Sequence, residues 1–294
     1  MMGFPRPAGL HVIGLGLAAS ALWGASDFLG GLATRKSHVF LVVAIAHSLS
    51  LGLLLLVAWA MHSPIPAEHF AFLGLGAGTL GGVALILYYQ ALSLGEMGLT
   101  TTLTGLLTAM IPIGFSFLTQ GLPKISQIAG FVMAGAAIAL VAYAPAGKQP
   151  SLALGLAALA GVCFGAFLVV LKVSDTQSLL WQLIFSRCAS AGLAAGATVW
   201  AAFHRGTQGT RFGKQGEKSR LIRIAGTAGV LEATGTLLYM QSANLGRLDV
   251  AAVLTSLYPV VTILLAMWVL KERTTPSQAV GMALALGAVV LVST

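Results

Sequence analysis

The chain is 294 residues long, with 57% hydrophobic and 8% charged side chains, a mean hydropathy of +0.91 and a formal net charge of +8. Soluble domains carry about 25% charged residues, so a soluble chain of this composition could not cover its own core. The positive charge lies in segments that flank apolar runs, where membrane proteins carry it, and this argues against binding to nucleic acid. The composition predicts an integral membrane protein.

Ten apolar segments are long enough to cross a bilayer, which takes about 20 mostly apolar residues. In chain order these predicted spans are residues 10–32, 39–61, 70–93, 98–120, 126–144, 152–172, 178–203, 222–243, 248–270 and 277–293. They form two sets of five, 9–144 and 152–293, joined by a linker at 145–151. Residues 204–220 are rich in glycine, lysine and arginine, and we predict that they form a solvated loop against the lipid headgroups.

The two sets repeat one sequence. Residues 87–141 align without a gap on residues 238–292, at an offset of 151. Identical pairs at this offset include Tyr88/Tyr239, Gln90/Gln241, Gly95/Gly246, Thr104/Thr255 and Gly130/Gly281. Because five spans is an odd number, the second copy must enter the membrane from the opposite side, so the repeat is predicted to be inverted. Inverted repeats place a solute site near the membrane midplane and allow alternating access by exchange of conformations between the halves.

Prolines and glycines give the first local signals inside the spans. Pro112 in the fourth span and Pro259 in the ninth are about one turn out of register, and each should kink its helix, which makes both candidates for gating. Gly74, Gly78 and Gly82 recur at one-turn spacing in the third span. Small residues at that spacing let helices approach closely in a membrane, so we predict a packing seam there.

Four ionisable residues lie in the interior of predicted spans, more than two residues from either end: Asp27, His47, Arg187 and Glu232. Each costs about 2.5–3.5 kcal/mol at the bilayer centre, so each should face a cavity or a partner. Glu232 is either a carboxylate that couples transport to protons or binds a substrate ammonium, or a structural partner of Arg187. Arg187 could also hold a substrate carboxylate, whereas His47 is expected to be a hydrogen-bonded packing residue.

Asp27 is the second candidate for coupling or for binding the substrate. It lies one turn from Trp23, so a carboxylate and a large ring share one helical face, an arrangement that suits an amine. The alternative is an interfacial carboxylate compensated by Arg35 or Lys36.

Aromatic and polar residues at related positions complete the predicted substrate site. These further candidates are Tyr88, Gln90, Thr104, Phe164, Tyr239, Gln241 and Tyr258. Phe164 occupies the position equivalent to Trp23 in the second copy of the repeat, at an offset of 141. The rings of Trp23, Tyr239 and Tyr258 are expected to line the pocket.

Positive charge outside the spans predicts an orientation. Eleven Lys and Arg residues fall on the side reached after odd-numbered spans and four on the opposite side. The positive-inside rule therefore places both termini outside the cytoplasm.

Several motifs resemble the EamA branch of the drug/metabolite transporter superfamily. They are Trp23-Gly24 in the first span, the joints Leu94-Gly95 and Leu245-Gly246, and Leu270-Lys271-Glu272-Arg273 at the end of the ninth span. The resemblance covers almost the whole chain and implies ten helices in an inverted repeat, with the termini inside, against the charge count. Members export amino acids or other small metabolites, and some relatives import choline. The first repeat departs from the pattern, with Gln120-Gly121-Leu122 in place of the charged tail.

These observations predict an all-α secondary active transporter of the bacterial inner (plasma) membrane, best matched by an exporter of amino acids or related amines. A choline-like quaternary-amine carrier stays open as an alternative, and a lipid scramblase or an intramembrane enzyme is more remote. No HExxH, GxSxG or phosphate-binding Gly-Lys-Ser/Thr motif occurs, so we expect no enzyme activity, cofactor or metal. The expected partners are a small-molecule substrate, protons and membrane lipids, with a monomer as the simplest state.

Overall fold

The computed structural model describes residues 7–66, 68–95, 97–142, 151–174, 179–205, 215–270 and 276–292. Within these ranges all regular structure is α-helical. The helices are α1 Pro7–Thr34, α2 Val39–Ala60, α3 Glu68–Leu94, α4 Met97–Gln120, α5 Ile125–Ala142, α6 Ser151–Ser174, α7 Leu179–Arg205, α8 Gln215–Leu245, α9 Leu248–Thr255, α10 Tyr258–Leu270 and α11 Pro276–Val292.

Most helices begin and end within about three residues of the predicted spans, because the apolar length that a bilayer requires sets both limits. Over the described ranges, seven helical stretches are long and apolar enough to cross a membrane, and two shorter apolar stretches accompany them. Large apolar side chains such as Trp59, Phe203 and Trp268 are exposed. Lipid can cover such side chains, whereas in water they would form an aggregation-prone surface. These features are those of a multi-pass membrane protein.

The predicted loop at 204–220 is shorter than the sequence suggested. Residues 215–220 form the first turns of α8, and Arg205 still belongs to α7. Glu217 lies in the first turn of α8, where the positive end of the helix dipole favours an acidic side chain. The exposed start of this helix is polar, and a hydropathy criterion therefore missed it. Residues 206–214 lie outside the described part of the chain, as does the predicted linker apart from Ser151, which begins α6.

The predicted ninth span is two helices rather than one kinked helix. Helix α9 ends at Thr255 and α10 begins at Tyr258, with a turn at Ser256 and Leu257 between them. Pro259 is the second residue of α10, where proline is tolerated because the first-turn N–H groups have no partner within the helix. Helix α4 continues through Pro112. The two halves therefore differ at equivalent places.

Most of the larger helix contacts recur when the first five helices are exchanged with the last six, with the α4–α5 contact as an exception among the described residues. Helix α1 packs against α8 as α6 packs against α3, and α3 packs against α7 as α8 packs against α2. Helix α4 packs against α6 as α9 and α10 pack against α1, while α5 and α11 pack against each other. The sequence repeat therefore corresponds to a repeat in the packing.

The predicted glycine seam on α3 is confirmed as a helix contact, because its three glycines pack against α7. A Cβ atom on Gly78 would lie 2.1 Å from the carbonyl oxygen of Ser186. The repeat mate of Gly78 is Gly229 on α8, whose added Cβ would lie 2.0 Å from the carbonyl oxygen of Ala46 on α2. Both crossings are so close that only a residue without a side chain fits.

An ion pair fixes the joint between α8 and α9. Arg247 donates to Asp249 with 2.9 Å between Nη2 and Oδ2, and it also donates to the carbonyl oxygen of Gly121 at 3.0 Å. Gly121 has a φ of +77° in the connection between α4 and α5, a backbone conformation that favours glycine. The Asp249 carboxylate is fully buried, and its partner two residues away accounts for its burial.

Candidate functional site

A partly open cavity with an empty volume of about 460 Å³ lies among α1, α3, α4, α6, α8 and α10. Its lining consists of Trp23, Asp27, Leu85, Tyr88, Thr108, Phe164, Phe167, Leu168, Glu232 and Tyr258. Half of these side chains are aromatic, two are acidic and none is basic. Small-molecule sites are concave and mostly apolar, with a few polar groups that orient the ligand. This cavity has those properties.

Asp27 is the first of the two acidic groups in the wall. Its side chain is 8% exposed, and the Tyr88 hydroxyl donates to its Oδ2 at 3.0 Å. The Tyr88 oxygen also lies 3.1 Å from Oγ1 of Thr101. No cation of the described residues lies within ion-pair distance of this carboxylate. The carboxylate is therefore held by a phenol, and Arg35 and Lys36 do not compensate it.

Glu232 is the second acidic group, and it is already paired. Its Oε2 lies 2.6 Å from Nη2 of Arg187, as an ion pair without the alignment of a hydrogen bond. Its Oε1 accepts from the Thr236 hydroxyl at 3.0 Å, and its main-chain carbonyl accepts from the Trp23 indole at 3.3 Å. Glu232 therefore lines the cavity and is also paired with Arg187, the structural alternative that the sequence left open.

Arg187 lies behind Glu232, 2% exposed, and is not part of the cavity wall. Its Nη1 lies 3.2 Å from Nε2 of His47. A guanidinium has only donors, so Nε2 must accept and the imidazole proton must be on Nδ1. His47 is therefore neutral in this arrangement. His47 and Arg187 are equivalent at an offset of 140, and they meet where α2 packs against α7.

The aromatic rings are arranged as two equivalent pairs. Trp23 contacts Tyr239 with 5.7 Å between ring centroids, and Phe164 contacts Tyr88 at 6.0 Å. Trp23 and Phe164 occupy equivalent positions of the repeat, as do Tyr88 and Tyr239. Each half of the chain therefore contributes one ring to each contacting pair. Tyr258 meets Trp23 edge-on at 6.5 Å.

The polar surroundings of the two tyrosines are not equivalent. The Tyr88 hydroxyl bonds to Asp27, whereas the Tyr239 hydroxyl is buried with no hydrogen-bond partner in the described part of the chain. The position equivalent to Asp27, at an offset of 141, is Leu168. Leu168 also lines the cavity. At these equivalent positions the first half supplies a hydrogen-bonded pair, Asp27 and Tyr88, whereas the second half supplies Leu168 and a tyrosine outside the lining.

The remaining candidates lie elsewhere. The Thr104 hydroxyl donates to the carbonyl oxygen of Ala157 at 3.0 Å and joins α4 to α6. Gln90 is half-buried and Gln241 is exposed, and neither of them lines the cavity. Tyr239 lies behind Trp23, outside the lining.

The two prolines that we proposed as gating residues are both buried. Pro259 packs beside Gly105 of α4, whose added Cβ would lie 3.2 Å from the proline Cγ. Neither Pro112 nor Pro259 lines the cavity.

Four lining residues were not among the predicted site residues: Leu85, Thr108, Phe167 and Leu168. A signal for three of them existed in helical spacing. Leu85 precedes Tyr88 by three positions, and Phe167 and Leu168 follow Phe164 by three and four, so each shares a face with a predicted ring. Their apolar character concealed them, because leucine and phenylalanine are ordinary residues in any membrane span.

Comparison with known proteins finds a family match for the C-terminal part of the chain. Residues 151–294 match the model of the EamA-like transporter family, and no curated protein matches the sequence. A solved structure, described only as the crystal structure of a protein, is similar with a TM-score of 0.71 and 18% identity. That match covers 95% of this chain and 95% of the other, and at such low identity it shows a shared fold alone. Residues 151–294, slightly less than half of the chain, are therefore similar to the EamA-like transporter family.

Proposed function

We propose that this protein is a secondary active carrier of a small polar metabolite that bears an amine, an amino acid or a related amine, and that it works by alternating access in a plasma membrane. The observation that carries the proposal is the setting of Asp27. A buried carboxylate that has no cationic partner among the described residues lies in a cavity whose wall is half aromatic. A substrate ammonium would be attracted both to the carboxylate and to the faces of the rings.

Between the two amine classes, the geometry favours an amine without a carboxylate. An amino acid would need a cation for its carboxylate, and no residue of the cavity lining is basic. Arg187 is the nearest candidate, but it is buried behind Glu232 and paired with it. A quaternary amine is the second candidate, because it makes no hydrogen bonds and depends on rings such as Trp23, Phe164 and Tyr258. Recognition of quaternary ammonium groups by aromatic cages has this physical basis.

Alternating access is supported by the repeat in the packing. Most of the larger helix contacts recur when the halves are exchanged, so two halves with opposite orientation could exchange conformations around one site. The chain breaks between α9 and α10, whereas the equivalent helix of the first half, α4, is continuous. This difference makes the two halves unequal, which is the condition for a site that is open to one side of the membrane at a time. We propose ten spans, in which α9 and α10 together form the ninth.

For proton coupling we propose Asp27 ahead of Glu232. A proton and a substrate ammonium would compete for the same uncompensated carboxylate, which links the movement of one to that of the other. Glu232 already has Arg187 against one oxygen and Thr236 on the other, so its carboxylate has less capacity to bind either.

Counterflow in proteoliposomes tests the proposed function. Purified protein would be reconstituted with preloaded substrate, and radiolabelled tryptophan, methionine and threonine would be compared with their decarboxylated amines, choline and betaine, with and without a pH gradient. We expect saturable exchange of the amines, responsive to the gradient. Exchange of the zwitterions alone would contradict the preference for an amine. No exchange of any solute, together with movement of fluorescent lipids, would replace the carrier with a scramblase.

Replacing Tyr88 with phenylalanine should weaken amine binding by about fivefold. The ring would stay in the wall, but the hydroxyl that orients Asp27 would be lost, and a hydrogen bond of this kind contributes about 1 kcal/mol. Equilibrium binding of a radiolabelled amine to purified protein measures the loss. Tyr89→Phe is the matched control, since Tyr89 is equally buried but does not line the cavity. An equal loss in both variants would contradict a specific role for the Tyr88 hydroxyl.

A further inference from the structure

The cavity contains more negative side chains than a singly charged amine needs. Asp27 and Glu232 both line it, so two ammonium groups could in principle be bound. Whether both carboxylates are available depends on the residues behind the wall.

Glu232 is unavailable because a guanidinium of the protein occupies it. Arg187 Nη2 lies 2.6 Å from Glu232 Oε2, and Thr236 donates to the other oxygen at 3.0 Å. The Arg187 side chain is 2% exposed, so it stays behind the wall and takes no volume from the cavity. Glu232 therefore lines the cavity as half of a neutral pair.

His47 holds the guanidinium in place without adding charge. Its Nε2 accepts from Arg187 Nη1 at 3.2 Å and lies 3.9 Å from Glu232 Oε2. A neutral imidazole leaves Glu232 and Arg187 with no net charge between them. Asp27 then supplies the single negative charge of the site.

We propose that Arg187 determines which substrate charge the site accepts. It acts as a built-in counter-ion that neutralises Glu232 and keeps this carboxylate from binding a cation of the substrate. With the guanidinium present, the site accepts a monocation at Asp27. Without it, Glu232 becomes a second cation subsite and the same cavity accepts diamines. This inference rests on the proposed amine-binding function and adds a specificity-determining residue that does not touch the substrate.

The test is the ratio of diamine to monoamine affinity, measured by competition with a radiolabelled monoamine on purified full-length protein. The probes are a homologous series of linear diamines, each compared with the monoamine of equal chain length. Arg187→Gln should raise the ratio by about ten- to a hundredfold, the range for one charge-assisted hydrogen bond. Arg187→Lys should keep the wild-type ratio, because an ammonium still neutralises Glu232. An unchanged ratio in folded Arg187→Gln protein would overturn the inference.

A second comparison applies if Arg187→Gln does not fold. Glu232→Gln alone leaves the guanidinium uncompensated beside Asp27 and should weaken monoamine binding by about tenfold or more. The double variant Arg187→Gln/Glu232→Gln restores one net negative charge and should bind the monoamine more tightly than Glu232→Gln, despite losing more native contacts. Equal or weaker binding by the double variant would overturn the inference.

The two proposals fail in different ways. If wild-type protein binds neither monoamines nor diamines, the amine-carrier function fails and this inference fails with it. If wild-type protein binds monoamines but the variants do not change the charge preference, the function stands and the role of Arg187 is wrong.

Discussion

Replacing Asp27 with asparagine is expected to weaken binding of a cationic substrate by about ten- to a hundredfold, the largest loss that we expect from any single change in the cavity lining. A hydrogen bond to a charged group contributes roughly 1.5–3 kcal/mol, about twice a neutral one, and every 1.4 kcal/mol is tenfold in affinity. Tyr88 can still donate to the amide oxygen of asparagine, so the cavity wall should keep its shape. Equilibrium binding of a radiolabelled amine to purified protein measures the effect.

Asp249→Asn is the matched control for this substitution. Asp249 is also a buried carboxylate, but it pairs with Arg247 at the joint between α8 and α9 and does not line the cavity. We expect Asp249→Asn to lower the unfolding temperature and to leave the affinity for the amine within about twofold. Substitutions at distant sites that share no partners act independently of each other. Unchanged affinity in Asp27→Asn, or an equal loss in Asp249→Asn, would remove Asp27 from the substrate site.

Introducing alanine at Gly78 or Gly229 should destabilise the protein more than any other conservative substitution on α3 or α8. The new methyl group would meet a main-chain oxygen at 2.1 Å and 2.0 Å, respectively. A backbone atom cannot rotate away as a side chain can, so the two helices must separate. Overpacking of this kind costs about 1–3 kcal/mol, and the loss of packing extends along the α3–α7 or α2–α8 contact.

Thermal unfolding in detergent measures this destabilisation, and α3 itself provides the control. A Cβ atom on Gly76 would meet nothing within 4 Å, so Gly76→Ala should be neutral or slightly stabilising, since alanine favours a helix over glycine by about 1 kcal/mol. Both substitutions add one methyl group to the same helix. Equal unfolding temperatures for Gly76→Ala and Gly78→Ala would show that the close crossing does not limit stability.

The sequence predicted the helices well because hydrophobic length is a local property. Helix α2 runs from Val39 to Ala60 where 39–61 was predicted. Hydropathy does not register the polar first turns of α8 or the end of α9 at Thr255. The sequence shows Pro259 near that break, but the position of the proline after the turn depends on where the neighbouring helices allow the chain to bend.

The sequence also identified the charged members of the candidate site, because an ionisable group inside an apolar span is costly and so stands out. Asp27 and Glu232 were chosen for that reason, and both line the cavity. Leu85 and Leu168 share a helical face with predicted rings, but they are chemically ordinary in a membrane span and do not stand out. The sequence also proposed Gln241, which is exposed. Helical phase is readable from spacing, but the rotation of a helix about its axis is set by its neighbours.

By itself, the sequence determined the membrane class, the length of most helices, the repeat and the few buried charges, since each follows from solvation energy along one chain. The tertiary structure alone decided which charges meet. It placed Tyr88 on Asp27, and Arg187 with His47 behind Glu232, through contacts that cross 61, 140 and 45 positions of sequence. Those pairings depend on the distances and rotations between packed helices. They leave Asp27 without a cationic partner among the described residues, while Glu232 is paired with Arg187.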